Sequence, residues 1–303
     1  MTRGYFTALF AAALVAAAVL AAVIAPAAAW LVAQAGFRFP FPRIFDRVVM
    51  AAMALVLAAL AKRLRLVALL RDGFRRSPTS LGHAVRGVLA GACVIGALFA
   101  LAFAFGAHGG PQSAKVVARL PGYLLGAVAV AVIEEGFFRA FLLGGMVDDF
   151  GPAGALLLSS AVYAVAHVVR APARFYVADF EPAAGLRNLA ASLGALAHPL
   201  ASAPTLVGLM LLGLVLGSAF LRSGSIYFSA GLHGVLVLGS KSFRALRTPR
   251  VKLPRWVSGY GRIALISGAA GWIGALILLA LVPLIVAPEK DSAMRAAGDA
   301  GWR

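Results

Sequence analysis

Two adjacent glutamates and an arginine interrupt an otherwise apolar stretch, VAVIEEGFFRAFLL, at residues 130–143. On the insertion scale a charged side chain at the centre of a bilayer costs about 2.5–3.5 kcal/mol, so such residues pair or face an aqueous cavity, and a cluster of them marks function by default. Helical geometry divides their labour. Glu135 and Arg139 are four apart with the acid on the N-terminal side, so they share a face and can form an ion pair. Glu134 points about 100° away. One carboxylate is held by a fixed positive charge and the other is left to face something else, as a general acid or base requires. A purely structural ion pair would explain Glu135 and Arg139 but leave Glu134 unaccounted for.

The histidines extend the pattern. His167, in SSAVYAVAHVVR, and His233, in SIYFSAGLHGVLVLGSK, lie within apolar runs, whereas His83 stands near a helix start and His108 and His198 stand in interruptions beside Gly or Pro. The last three are expected to be solvated or interfacial. His167 and His233 together with the glutamate pair put acid–base and metal-binding vocabulary on three separate helices, and their convergence is the expectation. Tyr163, four residues before His167, projects from the same face. Two chemistries fit this set. In one, Glu134 activates a water with help from His167, and His233 stabilises the oxyanion of a tetrahedral intermediate. In the other, Glu134, His167 and His233 bind Zn²⁺ with an open position for water. Both hydrolyse a peptide bond inside a membrane, and the residues alone leave the two open.

The elements that must position these side chains follow from composition. Apolar residues make up 62% of the 303 and charged residues 13%, which excludes an ordinary soluble domain. Runs approaching the roughly 20 residues of a bilayer crossing lie near Tyr5–Gln34, Val48–Leu60, Val85–Phe105, Gly122–Met146, Ala153–Val169, Pro204–Leu221, Ile226–Gly239 and Ile263–Ala287. The expectation is an all-α, multi-pass membrane protein of about eight transmembrane helices. Residues 1–303 form a single integral-membrane domain, 122–239 its motif-bearing core, and 288–303 a polar tail. The first run carries Arg3 before it and APAAA after it, as a signal peptide does. It exceeds the roughly 7–15 apolar residues of a signal and more runs follow, so an uncleaved helix is expected.

A net charge of +17 does not point to nucleic acid here, because the basic residues gather beside apolar runs, as in 62–76 and 241–255. Anionic headgroups and topology explain them better. With the intervening runs counted as crossings, the two clusters fall on opposite faces. Either one run is not a crossing, or the region 183–203 adds one, or the second cluster is an interfacial helix. Cys93 is the only cysteine, which excludes an internal disulfide and any cysteine-based metal cluster.

The three motif-bearing segments resemble the CAAX protease and bacteriocin-processing group, also called the ABI family, which includes the type II CAAX prenyl endopeptidases. Its pattern is EExxxR on one helix, FxxxH on the next and HxxxN or HxxxD on a later one. Here Glu134, Glu135 and Arg139 match the first, Tyr163 and His167 match the second with tyrosine for phenylalanine, and His233 opens the third, where Val237 stands in place of Asn or Asp. The resemblance implies an eight-helix intramembrane protease, expected in a bacterial plasma membrane and read as glutamic rather than metal-dependent. In it the first glutamate and first histidine activate water, and the last histidine and the Asn form the oxyanion site. Valine donates no hydrogen bond, and a lost oxyanion donor costs about 2.7–4 kcal/mol of barrier. Backbone N–H groups, Tyr163 or a water must then substitute, since Asn188 is the only asparagine in the chain.

The leading expectation is an endopeptidase without a bound cofactor, acting among membrane lipids on a membrane-associated or lipidated protein or peptide. Glu134, His167 and His233 do the chemistry; Glu135, Arg139 and Tyr163 support them. Zinc held by Glu134, His167 and His233 is the alternative cofactor. Two other classes stand beside it. One is a non-catalytic scaffold or peptide-tolerance protein of the same fold, motivated by Val237. The other is a transporter with a proton path, against which stands the absence of a repeat or of paired broken helices.

Overall fold

The computed structural model describes residues 4–106, 113–171, 175–177, 179–246, 253–260, 263–286 and 288. Every regular element among them is helical. The order is α1 (Tyr5–Gln34), α2 (Phe41–Ala59), α3 (Leu66–Gly73), α4 (Ser80–Ala104), α5 (Ser113–Glu135), a π-helical segment (Gly136–Leu143), α6 (Gly144–Val168), α7 (Ala184–Ala197), α8 (Pro199–Ser223), α9 (Tyr227–Leu246), α10 (Arg255–Ser258) and α11 (Ala269–Ile285). His108, the arginines of the second basic cluster between 247 and 252, and nearly all of the tail from 288 lie outside the described residues.

Four helical stretches are long and apolar enough to cross a bilayer: Tyr5–Gln34, Ser80–Ala104, Val117–Val168 and Pro199–Ser223. The third has 52 residues, about 78 Å at 1.5 Å per residue, more than twice the roughly 30 Å of hydrocarbon. It is broken at Gly151, whose φ of 70° and ψ of 171° leave helical space, with Pro152 following. A side chain is disfavoured at that φ and proline lacks the N–H that would continue the ladder, so the turn falls there. The expected runs 122–146 and 153–169 are therefore parts of one helical stretch separated by a backbone break. Of the other expected runs, α2 carries Arg43, Asp46 and Arg47 near its start, α11 is apolar but 17 residues long, and α9 extends past Gly239 into the basic residues that begin the second cluster.

The helices divide into two compact units, one of Met1–Val67 and Val165–Ser202, the other of Ala68–Ala164 and Ala203–Arg303. In the first, α1 buries a row of alanines at helical spacing, Ala21, Ala25 and Ala29, against α2 and α7. Small side chains allow close helix approach. Gly185 of α7 shows how close, because a Cβ there would overlap the Ala22 carbonyl of α1. The Phe41 N–H donates to the Phe175 carbonyl at 2.7 Å, and the two rings stack at 5.2 Å. Asn188 lies in α7, fully buried within this unit.

In the second unit α9 lies along both α4 and α5. Glycine sets the α4–α9 distance: a Cβ on Gly87 would run into the Phe228 carbonyl, and one on Gly91 would stand 3.0 Å from the Leu232 carbonyl. On the other side, a Cβ on Gly234 would meet that of Ala131 at 3.7 Å, an ordinary contact. Thus α9 presents His233 to the end of α5, where the two glutamates are. His83, expected at a solvated helix start, is instead 2% exposed in α4, because it lies on the buried face of that helix with Ser80 and Gly87, while Leu81 on the opposite face stays exposed.

Candidate active site

Glu134 and Glu135 close α5, and the backbone then changes character. Across Gly136–Leu143 the hydrogen bonds reach five residues back in place of four. The expected uninterrupted α-helical period therefore fails from Gly136 onward, and π-helical insertions of this kind concentrate at functional sites. The pairing inferred from spacing is nonetheless present: Arg139 Nε lies 3.4 Å from Glu135 Oε2, with both side chains essentially inaccessible.

Arg139 is 0% exposed and makes no hydrogen bond through its guanidinium among the described residues. Its charge is met by Glu135 and by the face of Tyr163, whose ring centroid is 4.8 Å from Cζ. A cation over an aromatic face is attracted to the ring quadrupole, which gives a physical reason for an aromatic residue four positions before His167. Phenylalanine offers the same face as tyrosine. Phe138 packs edge-on against the Tyr163 ring at 5.0 Å and completes the lining.

His233 enters from α9, 3% exposed, its ring edge-on to Tyr163 at 6.3 Å. Its Nδ1 is 2.9 Å from Glu135 Oε1 and its Nε2 is 3.8 Å from Glu134 Oε2. The imidazole thus stands between the two carboxylates. An ionised carboxylate only accepts hydrogen bonds, so Nδ1–H donates to Glu135, and that bond fixes which ring nitrogen faces Glu134. Ser229, one turn earlier on α9, is buried, with its hydroxyl donating to the Ile226 carbonyl at 3.0 Å.

The two glutamates differ in access. Glu135 is completely enclosed, whereas the side chain of Glu134 is 27% exposed. Of the pair, only Glu134 has surface available to an incoming molecule. Val237, one turn after His233, is half-buried and contributes no donor. His167 is half-buried one turn beyond Tyr163 and belongs to the first unit. Among the described residues no group of three or more His, Cys, Asp or Glu side chains is gathered as metal ligands would be.

Sequence reasoning assigned Glu135 to Arg139 and stopped there. It missed the bond from His233 to the same carboxylate. No spacing in the sequence signals it, because Glu135 and His233 lie 98 positions apart.

Residues 116–238 match the family model described as "Type II CAAX prenyl endopeptidase Rce1-like", and that stretch holds every residue named in this site. Over that stretch, less than half of its length, the chain is similar to the CAAX protease family. No curated protein and no solved structure matches it. The four long apolar helical stretches together with this likeness support an integral membrane protein, and the matched family is one of membrane proteases. The geometry is compatible with that class of reaction: a partly accessible carboxylate stands beside an imidazole held from behind by a buried ion pair.

Proposed function

We propose that the protein is an intramembrane endopeptidase in which Glu134 activates the water that attacks the scissile carbonyl. One observation carries the reading: Glu134 is the glutamate whose side chain is partly exposed, and its buried Oε2 lies 3.8 Å from Nε2 of His233. That separation is too long for a direct hydrogen bond, yet one water oxygen can lie about 2.8 Å from both atoms. Glu134 takes a proton from this water as the oxygen adds to the carbonyl carbon, then delivers it to the leaving amine as the C–N bond breaks. With a proton on Nε2, His233 donates to the oxyanion, and Glu135 behind it offsets the ring's positive charge. The Glu135–Arg139 pair and Tyr163 hold His233 and are not consumed. The reaction written this way needs no metal.

The substrate is a membrane-associated or lipidated protein or peptide, reached from within a bundle of about eight transmembrane helices in a bacterial plasma membrane. The test compares cleavage of fluorogenic prenylated peptides by wild type and Glu134→Ala in matched detergent preparations. Loss of cleavage in the variant is expected, and equal activity in both overturns the assignment. Val237 supports a second reading, a non-catalytic scaffold of the same fold. On that reading Glu134→Gln and His167→Ala leave the cellular phenotype intact while the protein still inserts.

A further inference from the structure

The site depends on two helices that meet far apart in sequence, and α3 touches both. Gly136, Ala140 and Gly144 form a strip of small residues at four-residue spacing along the glutamate-bearing helix. The end of α3 and the residue after it lie on that strip. A Cβ on Gly136 would stand 3.0 Å from the Phe74 ring, and one on Gly144 would stand 3.4 Å from Leu69. At the middle of the strip the contact is closest. Gly73 is buried, and a Cβ there would overlap the Cβ of Ala140 and lie 3.1 Å from its Cα. Backbone meets backbone at this point, and only glycine allows it.

The same two residues reach the other helix through their carbonyls. The Ile226 N–H donates to the Gly73 carbonyl at 3.1 Å, and the Tyr227 hydroxyl donates to the Phe74 carbonyl at 2.9 Å. Tyr227 begins α9 and Ile226 immediately precedes it, both less than two turns before His233. Ala140 is the neighbour of Arg139, which contacts Glu135 directly. The turn at 73–74 is therefore tied to the start of the histidine helix by two hydrogen bonds and seated on the glutamate helix by close packing. The distance across the site, between Glu134 or Glu135 and His233, is set by helices that this turn joins.

We propose that the Gly73–Phe74 turn is a clamp that fixes the register of the glutamate helix against the histidine helix, with Gly73 as a positioning residue for the reaction. The proposal rests on the reading of Glu134 and His233 as the reacting groups. A side chain at residue 73 would push the π-helical segment and the start of α9 apart. Displacements of this size cost rate because the reacting atoms leave their productive separation.

The test uses the full chain in detergent or liposomes and a matched suppressor. Gly73→Ala is expected to lower kcat on a prenylated peptide roughly tenfold to a hundredfold while leaving KM within about twofold. Ala140→Gly removes the methyl group that the new one meets, so the double variant is expected to recover to within about threefold of wild type. Ala140→Gly alone stays near wild type. A second readout needs no activity. In a Cys93→Ala background, Ala131→Cys and Gly234→Cys place their Cβ atoms 3.7 Å apart, close to the roughly 3.8 Å of a disulfide. Oxidative cross-linking of this pair is expected to fall with Gly73→Ala and return with Ala140→Gly.

If wild type proves inactive while cross-linking follows this pattern, the endopeptidase reading fails and the clamp stands. Unchanged cleavage and cross-linking in Gly73→Ala overturn the clamp, as does a double variant no better than Gly73→Ala. If Gly73→Ala does not accumulate, a double variant that also fails to accumulate has the same meaning.

Discussion

Replacing Glu135 by glutamine removes one charge from a pair with no access to solvent. At the observed 3.4 Å and an effective dielectric of about 20, the gross attraction between Glu135 and Arg139 is about 5 kcal/mol. The pair in place is worth less than that, because both ions were desolvated to form it. Breaking it is another matter. Arg139 is 0% exposed, so the single variant strands an uncompensated buried charge, which costs about 3–5 kcal/mol. It also weakens the 2.9 Å bond from His233, a charge-assisted contact of about 1.5–3 kcal/mol. The Tyr163 face offsets part of this, so a destabilisation of about 4 kcal/mol is expected. Arg139→Gln should cost less, since Glu135 keeps His233 as a partner. The double variant, with neither charge, should cost less than the sum of the two single variants, giving a coupling energy of about 2–3 kcal/mol. Unfolding of the four proteins in mixed micelles of rising SDS fraction, followed by circular dichroism, measures all the terms. Additivity within about 0.5 kcal/mol would refute the argument that this pair is a mutually dependent unit.

Three further outcomes are expected. Tyr163→Phe keeps the ring under Arg139 and should be markedly more stable in the same assay than Tyr163→Leu, which loses a cation–π contact of about 0.5–2 kcal/mol. Val237→Asn puts a side-chain donor one turn after His233 and should raise kcat about tenfold or more if that position faces the oxyanion; an unchanged kcat removes Val237 from the argument. Elemental analysis of purified wild type should find no stoichiometric zinc, and a chelator should leave cleavage intact, whereas zinc present in wild type and lost in both His167→Ala and His233→Ala would overturn the metal-free mechanism.

Much of the architecture was legible because it rests on local physics. Long apolar runs mark helices that can cross a bilayer, and Glu134, Glu135 and Arg139 stood out because charge in such a run is costly. The Glu135–Arg139 pair was readable for the same reason: four residues along a helix is a contact whatever the rest of the chain does. The π-helical segment was not readable, because nothing in GFFRAFLL separates it from an α-helix by pattern. His83 shows the limit from another direction, since its burial depends on which helices pack over α4.

What the amino-acid sequence determined by itself was the class of molecule and the cast of residues. An all-helical membrane protein with carboxylates and imidazoles in its apolar segments follows from hydropathy and the cost of buried charge. The tertiary structure decided how those residues are shared. His233 lies 98 positions from Glu135, and no periodicity spans that distance. Their bond exists because Gly87 and Gly91 let α9 settle against α4 while its other side meets α5. That packing turned Glu135 from a counter-ion into the anchor of the imidazole and left Glu134 as the carboxylate with a face still open.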